Sequence, residues 1–351
     1  MNLDLTAALA RALPEPAPPP GASLAKVAPF GRGPAPVLAT GAAARPVLQL
    51  SEIPLPLNPA DYRNPYSNTN PQGDQRTLYA FRALVDPVPE FGRAYRPSAR
   101  STEKIYQNLV QGASVRKGQD FTTAVLASAR RAFEESALES LVITPGKWHP
   151  VYAAPGDWYD PAQLGRFQPI ELDLTDRNGS GPFILLPGSE RLQWRLGDPR
   201  RPELTKDLDQ TTEPTSLRFR CLQVTLQRPW LDFEVFGLHG WYLQGQPKGY
   251  YSNGQAAANQ GVLPLVPTRL LLGTDFQLDA RLGPDDRDLV QRAVTAGASL
   301  SLGPFDLGSV ALAGDRIQGV PAGDAADQPA LYLVGWCSDL VPLSPHMPGK
   351  P

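Results

Sequence analysis

Two cysteines and three histidines in 351 residues leave little material for metal or redox chemistry. Cys221 and Cys337 lie in separate apolar stretches and form no Cys-x-x-Cys pair, so buried free thiols are expected. His149, His239 and His346 cannot supply a His-rich metal centre, and a Ser-His-Asp triad would have to be built round one of them. An excess of one charge is also missing. Lys plus Arg number 33 against 35 Asp plus Glu, for a net charge of -2. The basic pairs Arg130-Arg131 and Arg200-Arg201 are diluted by nearby acids, which speaks against a nucleic-acid partner. No window approaches the roughly 18 uninterrupted apolar residues of a membrane helix. The first residues carry Asp4 and lack the basic and apolar regions of a signal peptide. A soluble, cytoplasmic protein without cofactor or metal is expected. The phosphate-cradling glycine loops, the G-x-S-x-G elbow and the H-E-x-x-H zinc signature are absent, which lowers the prior of common nucleotide, hydrolase and zinc sites.

Hydrophobic residues are plentiful at 42%, enough for a real core without staples. Leu5, Leu9 and Leu13 recur every four residues and predict a short helix with one apolar face, too short to be stable alone. From Pro14 to Pro46 follows a Pro/Ala/Gly-rich stretch, read as a flexible arm able to dock the helix on its own body or on a neighbour. Residues 48–97 read as an ordered but irregular segment draped over the core, with consecutive turns at 64–74. Helices are expected from Ser101 to Val110 and from Phe121 to Leu141. In the second, Asp120 is the N-cap, Val125, Leu126, Ala129, Phe133 and Ala137 form the stripe, and Pro145-Gly146 is the stop.

After Gly146 the apolar period changes from helical to two. Ile170, Leu172 and Leu174 alternate with polar residues, as do Leu192, Trp194 and Leu196. Phe219 and Cys221 alternate in one phase and Leu222, Val224 and Leu226 in the other, predicting a bulge or a strand that changes faces at Cys221-Leu222. Further strands are read at 183–186, 270–272, 276–278, 300–302, 309–312 and 331–336. One helix interrupts them at 284–298, with Leu289, Arg292, Ala293 and Ala296 on one side. Polar loops are expected at 198–216 and 321–329, hairpin corners at the two Gly-Pro-Phe turns, and a turn at the sequon Asn178-Gly179-Ser180. The pattern predicts an α+β fold: an antiparallel sheet or sandwich at about 165–341, a helical layer at about 100–142, and a helix plus arm over residues 1–46 outside a single domain of 47–351.

Two aromatic segments concentrate the candidate chemistry. Residues 228–242, RPWLDFEVFGLHGWY, place Arg228, Trp230, His239 and Trp241 beside Asp232 and Glu234. Residues 147–160, KWHPVYAAPGDWYD, add Trp148, His149, Trp158 and Tyr159 with Asp157 and Asp160. Rings supply contact area and carboxylates orient hydroxyls, so both segments suit a protein or carbohydrate surface, while packing of the same rings into a core is the commoner outcome. Asp232 and Glu234 share one face of a strand, whereas a glycosidase needs two carboxylates facing across a cleft, so a pair with Asp157 or Asp160 would be required. The expectation is a non-enzymatic binding or assembly protein that self-associates through its amino-terminal arm. The alternatives are a hydrolytic enzyme using those four carboxylates and a membrane-active protein of amphipathic hairpins.

Overall fold

A computed structural model describes residues 3–14, 45–62, 75–139, 147–176, 181–314, 316–319 and 330–349. Nine strands form the main sheet: β1 (Val47–Leu57), β2 (Tyr152–Ala154), β3 (Gln168–Asp173), β4 (Ile184–Leu185), β5 (Glu213–Gln227), β6 (Leu265–Arg281), β7 (Val310–Ala313), β8 (Arg316–Gly319) and β9 (Leu331–Leu340). β2 and β3 pair with β5, β5 with β6, β6 with β9 and β9 with β1, all antiparallel. β4 adds a parallel edge to β1, and the β7–β8 hairpin joins β6 at Arg281. A second antiparallel sheet is built from Arg195–Gly197, Thr205–Asp207, Leu300–Leu302 and Phe305–Gly308. The helices are α1 (Leu5–Ala12), α2 (Gln75–Val85), α3 (Thr102–Gly112), α4 (Asp120–Glu135), α5 (Glu234–Gly237) and α6 (Pro284–Thr295). The α+β fold expected from the periodicity is the one observed.

β5 explains the phase flip in its sequence. Leu217, Phe219 and Cys221 enter the main core, whereas Leu222, Val224 and Leu226 enter a second core beneath Trp158 and Phe81. Successive strand residues point to opposite faces, so a strand covered on one face in its first half and on the other in its second half reads as a change of phase. No irregularity falls at Cys221-Leu222: the register shifts against β6 lie between Pro214 and Ser216 and between Arg218 and Arg220. Opposite the second shift, Asp275 in β6 takes the left-handed conformation, with φ +56. The expected strands at 270–272 and 276–278 are one continuous strand through this point.

Other boundaries also differ from expectation. The segment read as irregular from residue 48 opens with eleven residues of β1, whose Val47, Leu48 and Leu50 are fully buried. Pro54 and Pro56 concealed it. They lie at and beyond the register shift that follows Leu50, on a part of the strand whose other side β4 does not reach, where a missing N–H breaks no ladder. α4 begins at Asp120 with Gln119 as N-cap and ends at Glu135, since residues 138–139 turn into a short strand with 147–148. Its buried residues are Thr122, Leu126, Ala129 and Phe133. α6 buries Asp286, Leu289, Val290 and Ala293, but not Arg292 or Ala296. The expected loop at 198–216 contains the strand Thr205–Asp207 and the start of β5. The Gly303-Pro304-Phe305 turn is a hairpin corner, whereas Gly181-Pro182-Phe183 leads into the parallel edge strand β4. The turns at 64–74, the sequon, Pro145-Gly146 and the loop at 321–329 lie outside the described residues.

α1 is packed into the core of the body. Leu5, Leu9 and Leu13 are at most 3% exposed and share the main core with β1, β3, β5 and β6. The helix touches β3 at one end of the sheet order and β1 near the other. Eight residues span about 12 Å, so the sheet curls far enough for this short helix to cover its opening.

Candidate functional site

The segment 228–242 leaves the end of β5 and turns into the interior. Arg228 donates to the carbonyls of Pro267 and, at 2.7 Å, Val85, tying β6 to the end of α2. Burial pulls this guanidinium down to about 10, against the attraction of Asp86, Asp339 and Tyr95. Trp230 donates its indole N–H to Pro150 O at 2.8 Å and meets Phe133 edge to face. His149 stacks on the same Phe133, with ring centroids 3.7 Å apart. Its Nδ1 lies 2.8 Å from Glu103 Oε1 and its Nε2 2.9 Å from Phe133 O, while Glu103 Oε2 accepts from Arg82 at 2.6 Å. Both imidazole nitrogens lie against protein oxygens and the ring is buried, so neither nitrogen faces a space that a substrate or a metal could enter. Trp241 is fully buried in the same cluster.

The remaining candidates occupy separate places. Trp158 is 4% exposed and packs against Tyr62, Phe81 and Tyr159 in a cluster distinct from that of Trp230. Asp157 accepts from Arg166 in an exposed pair, and Asp160 belongs to the turn entering residues 161–166. Asp232 Oδ1 accepts from the backbone N–H of Glu234 at 3.0 Å. Burial raises this carboxyl above its ordinary range, and the same hydrogen bond works against the rise. Glu234 is exposed at the first position of α5. His239 is exposed and stacks on His346 at 3.8 Å. The Trp148 side chain lies outside the described residues. The two aromatic segments therefore supply ring packing in two clusters.

The seat of α1 is built by residues that nothing in the sequence connects with that helix. Arg11 donates to Asp176 O at 2.6 Å, and Arg45 donates to the carbonyls of Gly181 and, at 2.7 Å, Phe183. Gly181 has φ +61, and a Cβ placed on it would come within 2.1 Å of Ala10 O. The last turn of α1 thus rests on the Gly181 backbone, and the chain returns to the same place after residues 15–44. The four-residue leucine spacing announced the helix; nothing local to Gly181 or Arg45 announced its seat.

Beside the amino-terminal end of α1 lies a cleft of about 430 Å³, walled by Leu3, Trp194 and the loop from Asp207 to Thr212. That loop is held from behind by Asp286, a wholly buried carboxylate. Asp286 accepts from Asp209 N at 3.0 Å and Thr212 Oγ1 at 2.6 Å and pairs with Lys206 at 3.1 Å. Leu208 N donates to Trp194 O at 3.0 Å and ties the two walls together. The sequence reading took Trp194 as a strand residue and 207–212 as part of a polar loop, with no sign that they meet. Among the described residues no group of three or more His, Cys, Asp or Glu side chains could hold a metal ion, and no helix is long and apolar enough to cross a membrane. Searches of protein-family models, curated proteins and solved structures found no match to this chain.

Proposed function

We propose that the chain is a non-enzymatic binding or assembly protein that self-associates by exchanging α1 between copies. The observation that carries this reading is the docking of α1, an eight-residue helix, into the main core at a point where both ends of its connector converge on Gly181. Residues 15–44 number thirty. Any thirty-residue chain spans about 30 Å on average as a random coil and about 100 Å fully extended, against a radius of gyration of about 20 Å for a compact chain of 351 residues. Bridging two neighbouring sites on one body needs little of that reach. The same length lets α1 enter the identical seat on a second copy, where every contact is reproduced, the condition under which segment exchange is inexpensive. A hydrolytic reading draws no support from the geometry, because Asp157 is engaged by Arg166, Asp232 by Glu234 N, and Trp158 and Trp230 pack in separate clusters.

The test mixes two singly substituted chains, a tagged Arg11→Cys and an untagged Asp176→Cys, and adds a short bismaleimide. The native thiols do not compete, since burial pushes Cys221 and Cys337 up to about 12. Exchange predicts a tagged–untagged covalent dimer that increases with concentration. If the mixture gives no such dimer while the Arg11→Cys/Asp176→Cys double variant links within one chain, α1 stays with its own body and the proposal fails.

A further inference from the structure

We infer that residues 341–349 form a pH-sensitive clasp, independent of self-association, held closed while the stacked rings of His239 and His346 are neutral and released when both take up a proton. The clasp is built on backbone. Tyr251 N donates to Ser344 O at 2.8 Å, Ser344 N to Ser252 O at 2.9 Å, Gly249 N to Pro345 O at 2.9 Å and Gly349 N to Gln246 O at 2.8 Å, which laces the segment to residues 246–252. It also covers apolar surface. Val341 and Tyr251 belong to the cluster of Trp230 and Trp241, and a Cβ added to Gly249 or Gly254 would lie 3.4 Å from the Leu343 side chain. His346 carries the segment over to the helical layer. Its ring stacks on His239 with centroids 3.8 Å apart and planes 21° apart, and it hydrogen-bonds the Gly237 backbone at the end of α5. His239 is itself fixed, because its carbonyl accepts from Thr122 Oγ1 of α4 at 2.7 Å.

The charges acting on the stack are cationic. Residues 341–349 carry no ionisable side chain besides His346, residues 246–252 supply Lys248, and the stretch after α5 supplies His239. Burial, then His239 and Lys248, lower the His346 imidazole below its ordinary 6.5, and the Gly237 hydrogen bond works in the other direction. On the α4 side stand Arg116, Lys117 and Asp120, and at α5 Asp232 and Glu234. None of these acids pairs with either ring, since among the described residues the one ion pair of a histidine with a carboxylate is that of His149 with Glu103. A neutral pair of rings attracts by stacking, and a singly protonated pair sets a cation over an aromatic face. Two imidazoliums at 3.8 Å repel each other, and Lys248 adds to the repulsion. Because the closed segment holds His346 below its ordinary value, the open segment binds the proton more tightly. The contribution to closure is therefore fully present above 6.5 and declines as pH falls below it. The segment follows the last residue of β9, Leu340, so it can leave without breaking the main sheet, baring Leu343 and the 249–254 surface beneath it.

The experiment is amide hydrogen exchange on the full chain at about pH 7.5 and about pH 5.5, read residue by residue and corrected for the intrinsic pH dependence of exchange. On acidification, protection at Gly249, Tyr251, Ser344 and Gly349 is expected to fall at least about threefold more than protection in β5 and β6. His346→Phe keeps a ring on His239 and removes the titration, so it should abolish that difference. Lys248→Gln, a change at an exposed position, should shrink it. Should His346→Phe loosen the segment through loss of the Gly237 hydrogen bond, His346→Gln, whose amide can still donate there, serves the same comparison. Equal protection at the two pH values would overturn the proposal. So would a loss spread evenly over the sheet, which marks global acid unfolding, or a loss in both His346 variants as large as in the native chain, which places the titrating group elsewhere.

Discussion

Glu103 ties together three segments of the chain. Its side chain is 11% exposed and joins Arg82 on α2 to His149 before β2, and its backbone N–H donates to Asp86 at the end of α2. Removing one member of a buried charged network leaves the others unpaired, which typically costs 3–5 kcal/mol. Because Arg82 remains 30% exposed and can recover some solvation, Glu103→Ala is expected to cost about 3 kcal/mol in urea unfolding. A loss under about 1 kcal/mol would mean that the network contributes no more than a surface pair. A second residue carries pH dependence. Burial, helped by His239 and Lys248, lowers His346 below its ordinary 6.5. The unfolded chain then binds the proton more tightly, so this contribution is fully present above 6.5 and declines as pH falls through that value toward the lower folded-state one. The melting temperature should therefore drop as pH falls below about 7, and His346→Gln should flatten the drop; an unchanged slope in the variant would assign it to other groups. At this scale the sequence was legible for type and silent for partner. His149 stood out among aromatics, but Glu103, 46 positions away, shows no local sign of meeting it.

The elements were legible wherever one face is apolar and the other is not. The four-residue spacing of α1 and the period of two in β3 and β5 appear as read, because burial of one face imposes the period of the backbone. β1 was missed because its prolines lie at and beyond a register shift, a fact of pairing that residues 47–57 do not reveal. The seat of α1 supplies the test at this scale. Gly181→Ala must place a methyl at φ +61 and about where Ala10 O lies, so α1 has to move. The conformational penalty is about 1–2 kcal/mol and the overlap about as much again. Gly118, at φ +82 with open space around it, isolates the first part. Gly181→Ala is expected to melt well below Gly118→Ala and to lose amide-exchange protection over residues 5–12. Equal melting temperatures for the two variants would show that α1 bears lightly on Gly181.

At the scale of the whole molecule, one sheet wraps one main core, and α1 with the second sheet completes the enclosure. That arrangement changes the meaning of the amino-terminal helix. A helix on a leash reads as an accessory, but Leu5, Leu9 and Leu13 lie as deep as Leu172 or Leu278. The proposed exchange between copies thus trades a piece of core, and a chain lacking residues 1–46 loses buried surface as well as an arm. The cleft beside Leu3 belongs to this scale too, since its walls come from residues 3, 192–194 and 207–214, three stretches that converge only after the sheet has closed. By itself the sequence determined the α+β class, four of the helices, the alternating strands and the buried state of both cysteines, because periodicity and burial are imposed residue by residue along the chain. Only the tertiary structure decided that α1 enters the core, that Trp158 and Trp230 part company, and that Trp194 meets Asp209 across a cleft. Each depends on register and curl between segments far apart in sequence, which no local pattern encodes.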